Sequence, residues 1–143
     1  MKVEQITIFL ENKPGGLEKV TKILTEANIN IRTLAVADTS DFGIVRLIVN
    51  NVETATKVLK ESGFTVSRTT VVAVEVPDRP GGLHSILEVV AKENINIAYM
   101  YAFVEKSGEN AVMLFRFDQQ DKAIDVLLKN GINVLPGEKL YSF

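Results

Sequence analysis

The sequence predicts an α+β fold made of two copies of one β-α-β-β-α-β unit. The first observation is an internal repeat: shifted by 66 residues, KPGGLEKVTKILTEANINI (13–31) falls on RPGGLHSILEVVAKENINI (79–97). At a shift of 68, TATKVLKESGFTV (54–66) falls on KAIDVLLKNGINV (122–134). The second observation is hydrophobic periodicity, which changes between strand and helix spacing in the same order in both copies. We place the boundary near Ser67–Thr70, which gives units of residues 1–68 and 69–143.

Each element follows from its local pattern. The β-branched runs EQITIFL and TVVAVEV end at turn residues and predict the first strands. Apolar residues recur at helical spacing after each Pro-Gly-Gly, and two strands follow, NINIRTLAV and GIVRLIV or NINIAYMYAFV and AVMLFRF. A second helix carries Val52, Ala55 and Leu59, or Ala123, Leu127 and Leu128, before the short strands FTV and INV. This order is the ferredoxin-like plan, with two helices on one face of a four-stranded antiparallel sheet.

The sheet face opposite the helices is predicted to be unusually apolar. If Met113, Phe115 and Phe117 face the helices, then Val112 and Leu114 lie on the other face. An apolar sheet face of this kind is normally covered. We therefore expect the two sheets to pair with each other and with a second chain, which makes the protein a homodimer.

Composition excludes several classes of function. The net charge is −2 and no segment concentrates basic residues, so a nucleic-acid partner is not expected. There is no cysteine and only one histidine, which excludes a thiolate nucleophile, a cysteine metal site and a histidine pair. No other group of residues forms a constellation that could run a reaction, so we expect no catalytic residues, no metal site and no cofactor, and the protein is not predicted to be an enzyme. No apolar run approaches the ~20 residues of a membrane span, so no membrane partner is expected and the predicted location is cytoplasmic.

The repeated loop NKPGGL or DRPGGL has two interpretations. In the first it only starts a helix: proline pre-sets φ, Asn12 or Asp78 caps the first amides, and glycine allows a tight turn. In the second, the missing side chains let a ligand approach the amides at the helix N-terminus, which suit a carboxylate. A neighbouring Asn12 or Asp78 could then accept hydrogen bonds from an ammonium group, so the two ends of an α-amino acid would both be matched.

The NINI segment after each helix contributes two asparagines. Asn28 and Asn94 are predicted to end their helices in the left-handed conformation that asparagine tolerates. Asn30 and Asn96 lie where the strand is predicted to have begun. Each either hydrogen-bonds nearby backbone or faces a ligand beside the glycine loop.

Loop, helix, NINI and the two strands that follow resemble the ACT domain, an amino-acid-sensing module attached to many metabolic enzymes. The resemblance covers essentially the whole chain, twice. It implies a regulatory module that binds a free amino acid where two units pair and acts in trans on a metabolic enzyme or transporter. The implied ligand-binding residues are Asn12, Gly15, Gly16, Leu17 and Asn30 in the first copy, and Asp78, Arg79, Gly81, Gly82, Leu83 and Asn96 in the second.

Two alternatives stay open at this point. The copies differ, Asn12-Lys13 against Asp78-Arg79, so they need not bind equally. The chain could also be a structural or protein–protein interaction module, in which the loops only start helices and the apolar sheet face docks a partner.

Overall fold

The chain forms two compact units. The structure, a computed structural model, describes residues 1–38 and 41–142. One unit comprises Glu4–Thr69, and the other comprises Thr70–Tyr141 together with Met1–Val3. We refer to them as the first and second unit.

The first unit contains β1 (Val3–Glu11) except its first residue, α1 (Gly16–Glu26), β2 (Ile31–Asp38), β3 (Phe42–Val49), α2 (Val52–Glu61) and the beginning of β4 (Thr65–Pro77). Its strands lie in the order β2-β3-β1-β4, and β3 is antiparallel to both of its neighbours. Strand β2 is therefore an edge strand of this sheet.

The second unit repeats this arrangement. It contains the rest of β4, α3 (Gly82–Lys92), β5 (Ile97–Ala102), β6 (Asn110–Phe117), α4 (Gln120–Lys129), β7 (Val134–Leu135) and α5 (Gly137–Tyr141). Strand β4 pairs antiparallel with both β6 and β7, and β6 pairs antiparallel with β5. The predicted fold class, two βαββαβ units of ferredoxin-like plan, is confirmed.

Some element boundaries differ from the prediction. Thr65 and Val66 of the run FTV and the whole run TVVAVEV belong to one 13-residue strand, β4, because the intervening Ser67–Thr69 contains no glycine or proline to interrupt it. Strands β2 and β5 begin at Ile31 and Ile97, after both asparagines of each NINI. The run INV contributes only its last residue to β7, and the short helix α5 was not predicted.

Each unit has its own hydrophobic core between helices and sheet. Val45, Leu47 and Val49 of β3 belong to the first core. As predicted, Phe115 and Phe117 belong to the second core with Met113 packed against it, and the two phenylalanine rings stack with centroids 5.2 Å apart. Leu128 lies on helix α4 as predicted, but its side chain is 45% exposed, because Ala123 and Leu127 form the face of α4 that packs on the core.

Candidate functional site

The two Pro-Gly-Gly loops share a left-handed first glycine. Gly15 (φ 90°) and Gly81 (φ 83°) are left-handed and immediately precede α1 and α3, and neither helix has a side-chain cap. The predicted capping by Asn12 and Asp78 is therefore wrong. The physical reason is that the chain turns before the helix begins. The backbone amide of Lys13 donates to the Glu11 carbonyl at 2.9 Å, and that of Arg79 donates to the Pro77 carbonyl at 2.9 Å.

The second glycine of each pair has a different environment in the two copies. A Cβ on Gly82 would lie 1.9 Å from the carbonyl oxygen of Pro77, so the backbone of the second unit requires a glycine there. A Cβ on Gly16 would meet nothing closer than the Leu10 side chain at 3.6 Å, an ordinary contact. Packing therefore explains Gly82 and leaves Gly16 unexplained.

The asparagines of NINI fix the other end of each helix. Asn28 (φ 58°) and Asn94 (φ 56°) are left-handed, which confirms their predicted role. The backbone amide of Asn30 donates to Oδ1 of Asn50 at 3.0 Å, and the Asn50 amide donates back to the Asn30 carbonyl at 3.2 Å.

The second unit makes the same pair of hydrogen bonds between Asn96 and Asp118, both at 3.0 Å. In both copies it is the backbone of the strand-start asparagine that is used, and the residue itself is exposed. Within one unit, this asparagine and the glycine loop lie at opposite ends of an 11-residue helix, about 16 Å long at 1.5 Å per residue.

A cleft of about 600 Å³ borders the loop of the first unit. Gly15 and Gly16 line it, whereas Asn12, Leu17 and Asn30 do not. Its other lining residues include three aromatic side chains and two lysines: Phe9, Phe42, Phe64, Lys13 and Lys19. Sequence reasoning noted Lys13 only as a difference between the two copies and missed the other four.

The two lysines of this cleft differ in their contacts. Lys13 forms an ion pair with Glu11 at 3.0 Å. The ammonium of Lys19 lies 5.7 Å from the centroid of the Phe64 ring, within cation–π range. The cleft therefore combines an apolar wall with a cation.

A smaller cleft of about 460 Å³ borders the loop of the second unit. Asp78, Arg79 and Leu83 line it, whereas Gly81, Gly82 and Asn96 do not. The Asp78 carboxylate is already engaged by the ammonium of Lys106. This cleft contains no aromatic side chain.

Near the second loop, Glu75 forms a polar cluster with Ser107, Asn110 and Asn133, which we call the Glu75 cluster. The Glu75 carboxylate accepts hydrogen bonds from the Ser107 hydroxyl at 2.5 Å and from the amides of Asn110 and Asn133, both at 3.3 Å. Partial burial pushes the pKa of Glu75 up, but these hydrogen bonds outweigh it and the pKa lies below its ordinary value. The cluster could have been noticed by aligning the copies, because Glu75 stands opposite Phe9 in the repeat.

Within residues 1–38 and 41–142, no group of three histidine, cysteine, aspartate or glutamate side chains is placed to hold a metal ion. Over the same residues, no helix is long and apolar enough to cross a membrane.

Comparison with known proteins agrees with this geometry. A solved structure of a Bacteroides thetaiotaomicron protein is 38% identical, covers 100% of this chain and 98% of its own, and superposes with a TM-score of 0.93. The ligand-free regulatory subunit of aspartate kinase from Thermus thermophilus shares the fold at 16% identity and a TM-score of 0.62, covering 88% of this chain and 90% of its own. The aspartokinase α and β subunits share it at 18% identity and 0.59, with the same coverage.

None of the curated proteins compared with the chain matches it. The family model described as "ACT domain pair" matches residues 1–143. The chain therefore belongs to the ACT domain family, as a pair of ACT domains.

Proposed function

We propose that this protein is a regulatory module that binds a free amino acid and acts in trans on an enzyme or transporter of amino-acid metabolism. Residues 1–68 and 69–143 are its two ACT domains. The observation that carries the proposal is a cleft beside a left-handed glycine at a helix N-terminus, lined by both apolar and charged side chains. The solved relative named as a regulatory subunit supports a regulatory role.

The chemistry of the loop suits the two ends of an amino acid. Uncapped amides in the first turn of α1 favour a carboxylate, since they carry partial positive charge and have no side-chain acceptor. Side-chain oxygens of Asn12 or Asp78 would receive the ammonium. In the second copy, Asp78 would first have to leave Lys106.

A ligand that contacts both the loop and a strand-start asparagine needs two ACT units. Because α1 separates Gly15 from Asn30 by about 16 Å within one unit, a single small molecule cannot reach both. We propose that the loop of one unit and the asparagine of another hold the ligand where two units meet, as in a homodimer.

Thermal unfolding of the full chain with each of the twenty amino acids tests this function. A ligand at 100 times its Kd adds about 2.7 kcal/mol of apparent stability, an easily measured shift in Tm. Asn30→Ala and Asn96→Ala remove the side chain without breaking the hydrogen bonds to Asn50 and Asp118, because Asn30 and Asn96 make those bonds through their backbone. We expect the double variant to fold and to lose the ligand-induced shift, and the absence of any shift in the wild type would refute the proposal.

One observation favours a second function, a protein–protein interaction module without a small-molecule ligand. Strand β2 is an edge strand whose Leu34 and Val36 are 40% and 57% exposed, a surface that can pair with another chain. Under this alternative, Leu34→Lys and Val36→Lys dissociate an assembly measured by light scattering, and no amino acid changes Tm.

A further inference from the structure

We infer that the two ACT domains have divided their roles: the first unit holds the ligand, an amino acid with an apolar side chain, and the Glu75 cluster fills the equivalent place in the second. This inference rests on the proposed function, and it adds which copy binds and what chemical class it selects.

Strand register shows that the two places are equivalent. In the first unit Phe9 pairs with Ile44 and Glu11 with Phe42. In the second unit Glu75 pairs with Val112 and Pro77 with Asn110. Phe9 and Phe42 therefore occupy the positions that Glu75 and Asn110 occupy in the other sheet.

The last strand supplies a third matched position. The 68-residue shift that aligns the ends of the two copies sets Thr65, at the start of β4, against Asn133 beside β7. Thr65 lines the first cleft, and Asn133 donates to Glu75. Three residues of the first cleft thus correspond to three members of the Glu75 cluster.

In the second unit these positions already satisfy one another. Glu75 accepts three hydrogen bonds from its neighbours, and its own backbone amide donates to the Asn133 carbonyl at 3.0 Å. A ligand entering here would displace donors from a partly buried carboxylate and leave that charge poorly solvated. An apolar side chain would gain nothing in return.

In the first unit the same positions present apolar surface. Phe9 and Phe42 are 42% and 54% exposed and line the cleft together with Phe64. Covering aromatic surface with an apolar group is favourable, whereas a polar side chain would lose hydration there without finding hydrogen-bond partners.

Charge and glycine placement also distinguish the first unit. Lys19 lines its cleft beside the Phe64 ring, but its counterpart Ser85 donates to the carbonyl of Gly82 at 2.7 Å and supplies no charge. Of the four loop glycines, Gly16 alone has neither a positive φ nor a close Cβ neighbour, and it lines this cleft. A ligand with a carboxylate for Lys19 and an apolar group for the phenylalanines fits this arrangement.

Isothermal titration calorimetry of the full chain tests the inference. The probes are L-leucine, L-isoleucine, L-valine, L-methionine and L-phenylalanine, with L-serine, L-aspartate and L-lysine as the polar set. Phe42→Asn and Lys19→Ser give the first cleft the residues of the second copy. Their matched controls, Asn110→Phe and Ser85→Lys, make the reverse exchange in the second unit.

We expect at least one apolar amino acid to bind the wild type and none of the polar set to do so. The first-unit variants should weaken binding by about tenfold or more, and the second-unit controls should stay within about twofold. Backbone amide resonances of Gly15 and Gly16 should shift on titration, and those of Gly81 and Gly82 should not.

Each contrary outcome has a separate meaning. If no amino acid binds the wild type, the proposed function fails and this inference fails with it. If an amino acid binds but the second-unit variants weaken it instead, the division of roles is wrong while the proposed function stands. If only polar amino acids bind, the inferred ligand class is wrong.

Discussion

Adding one methyl group to the second glycine of each loop should have opposite effects in the two copies. The changes are Gly82→Ala and Gly16→Ala, at equivalent positions of helices α3 and α1. In the second unit the new Cβ would lie 1.9 Å from the Pro77 carbonyl oxygen, which is about 1.4 Å inside the shortest ordinary C···O contact of about 3.3 Å. The obstacle is backbone and cannot rotate away.

The magnitudes follow from two opposing terms. Forcing a methyl group into a packed site costs about 1–3 kcal/mol, and replacing glycine with alanine in a helix returns about 0.5–1 kcal/mol through reduced backbone entropy. Because the Pro77 carbonyl cannot rotate away, the cost should dominate, and Gly82→Ala should lower the free energy of unfolding by up to about 2.5 kcal/mol. At Gly16 the nearest atom is a flexible leucine methyl at 3.6 Å, so only the favourable term remains and stability should rise by up to about 1 kcal/mol.

Urea denaturation followed by circular dichroism measures both variants against the wild type. For a chain of this size, 1 kcal/mol corresponds to about 2–4 °C in Tm, so calorimetry gives an independent value. Gly15→Ala and Gly81→Ala serve as paired controls, because both glycines have positive φ and both should cost about 1–2 kcal/mol. Equal shifts for Gly16→Ala and Gly82→Ala would show that the Pro77 contact does not govern the second loop.

Three further predictions concern stability elsewhere. Asn28→Gly should leave the urea midpoint nearly unchanged and Asn28→Ala should lower stability by about 1 kcal/mol, because φ at this position is 58°; equal effects would contradict this explanation. The lowered pKa of Glu75 means that its ionised form stabilises the fold above the ordinary glutamate pKa of about 4.3, and this stabilisation is lost as the pH falls through the lower folded value. Glu75→Gln should therefore flatten the loss of unfolding free energy between about pH 5 and pH 3, and identical pH profiles would count against the hydrogen bonds. Arg68 pairs with Glu4 at 2.6 Å and Glu53 at 2.8 Å on the surface, so Arg68→Met should cost less than about 1 kcal/mol, and the difference should shrink in about 1 M salt; a larger, salt-independent loss would mean that the side chain acts by packing.

The order of the elements could be predicted from the sequence because the hydrophobic periodicity and the positions of the turn residues agree in both copies. Some features depend only on neighbouring residues, so a local pattern is enough to predict them. They are the helices after each Pro-Gly-Gly, the left-handed conformation of Asn28 and Asn94, and the side of the sheet on which Phe115 and Phe117 lie. The two-residue β7 and the helix α5 were not predictable in this way, since elements this short depend on pairing and packing supplied by the rest of the unit.

The site was predicted only in part, because a cleft is a property of three dimensions. Gly15 and Gly16 line the first cleft, but its aromatic wall comes from Phe9, Phe42 and Phe64, which lie far apart in sequence. Phe9 and Phe64 fell within predicted strands, and Phe42 lay just before one. The asparagines of NINI follow the loop at the same distance in both copies, and this regular spacing suggested that loop and asparagine contact one ligand. In the structure, the helix between the loop and the asparagine holds them at opposite ends of one unit, so they do not meet there.

Strand β4 determines how the protein can be divided in the laboratory. It is one 13-residue strand, and the border between the compact units falls inside it, at Thr69 and Thr70, with no connecting loop. Residues 1–3 belong to the second unit, where Lys2 pairs with Asp121 at 2.9 Å. Dividing the gene at this border would therefore cut β4 in two, so that one fragment ends and the other begins within this strand. The second fragment would also lack Met1–Val3, which belong to its compact unit. Mutations within the full chain, rather than separate halves, are the sound way to compare what each ACT domain does.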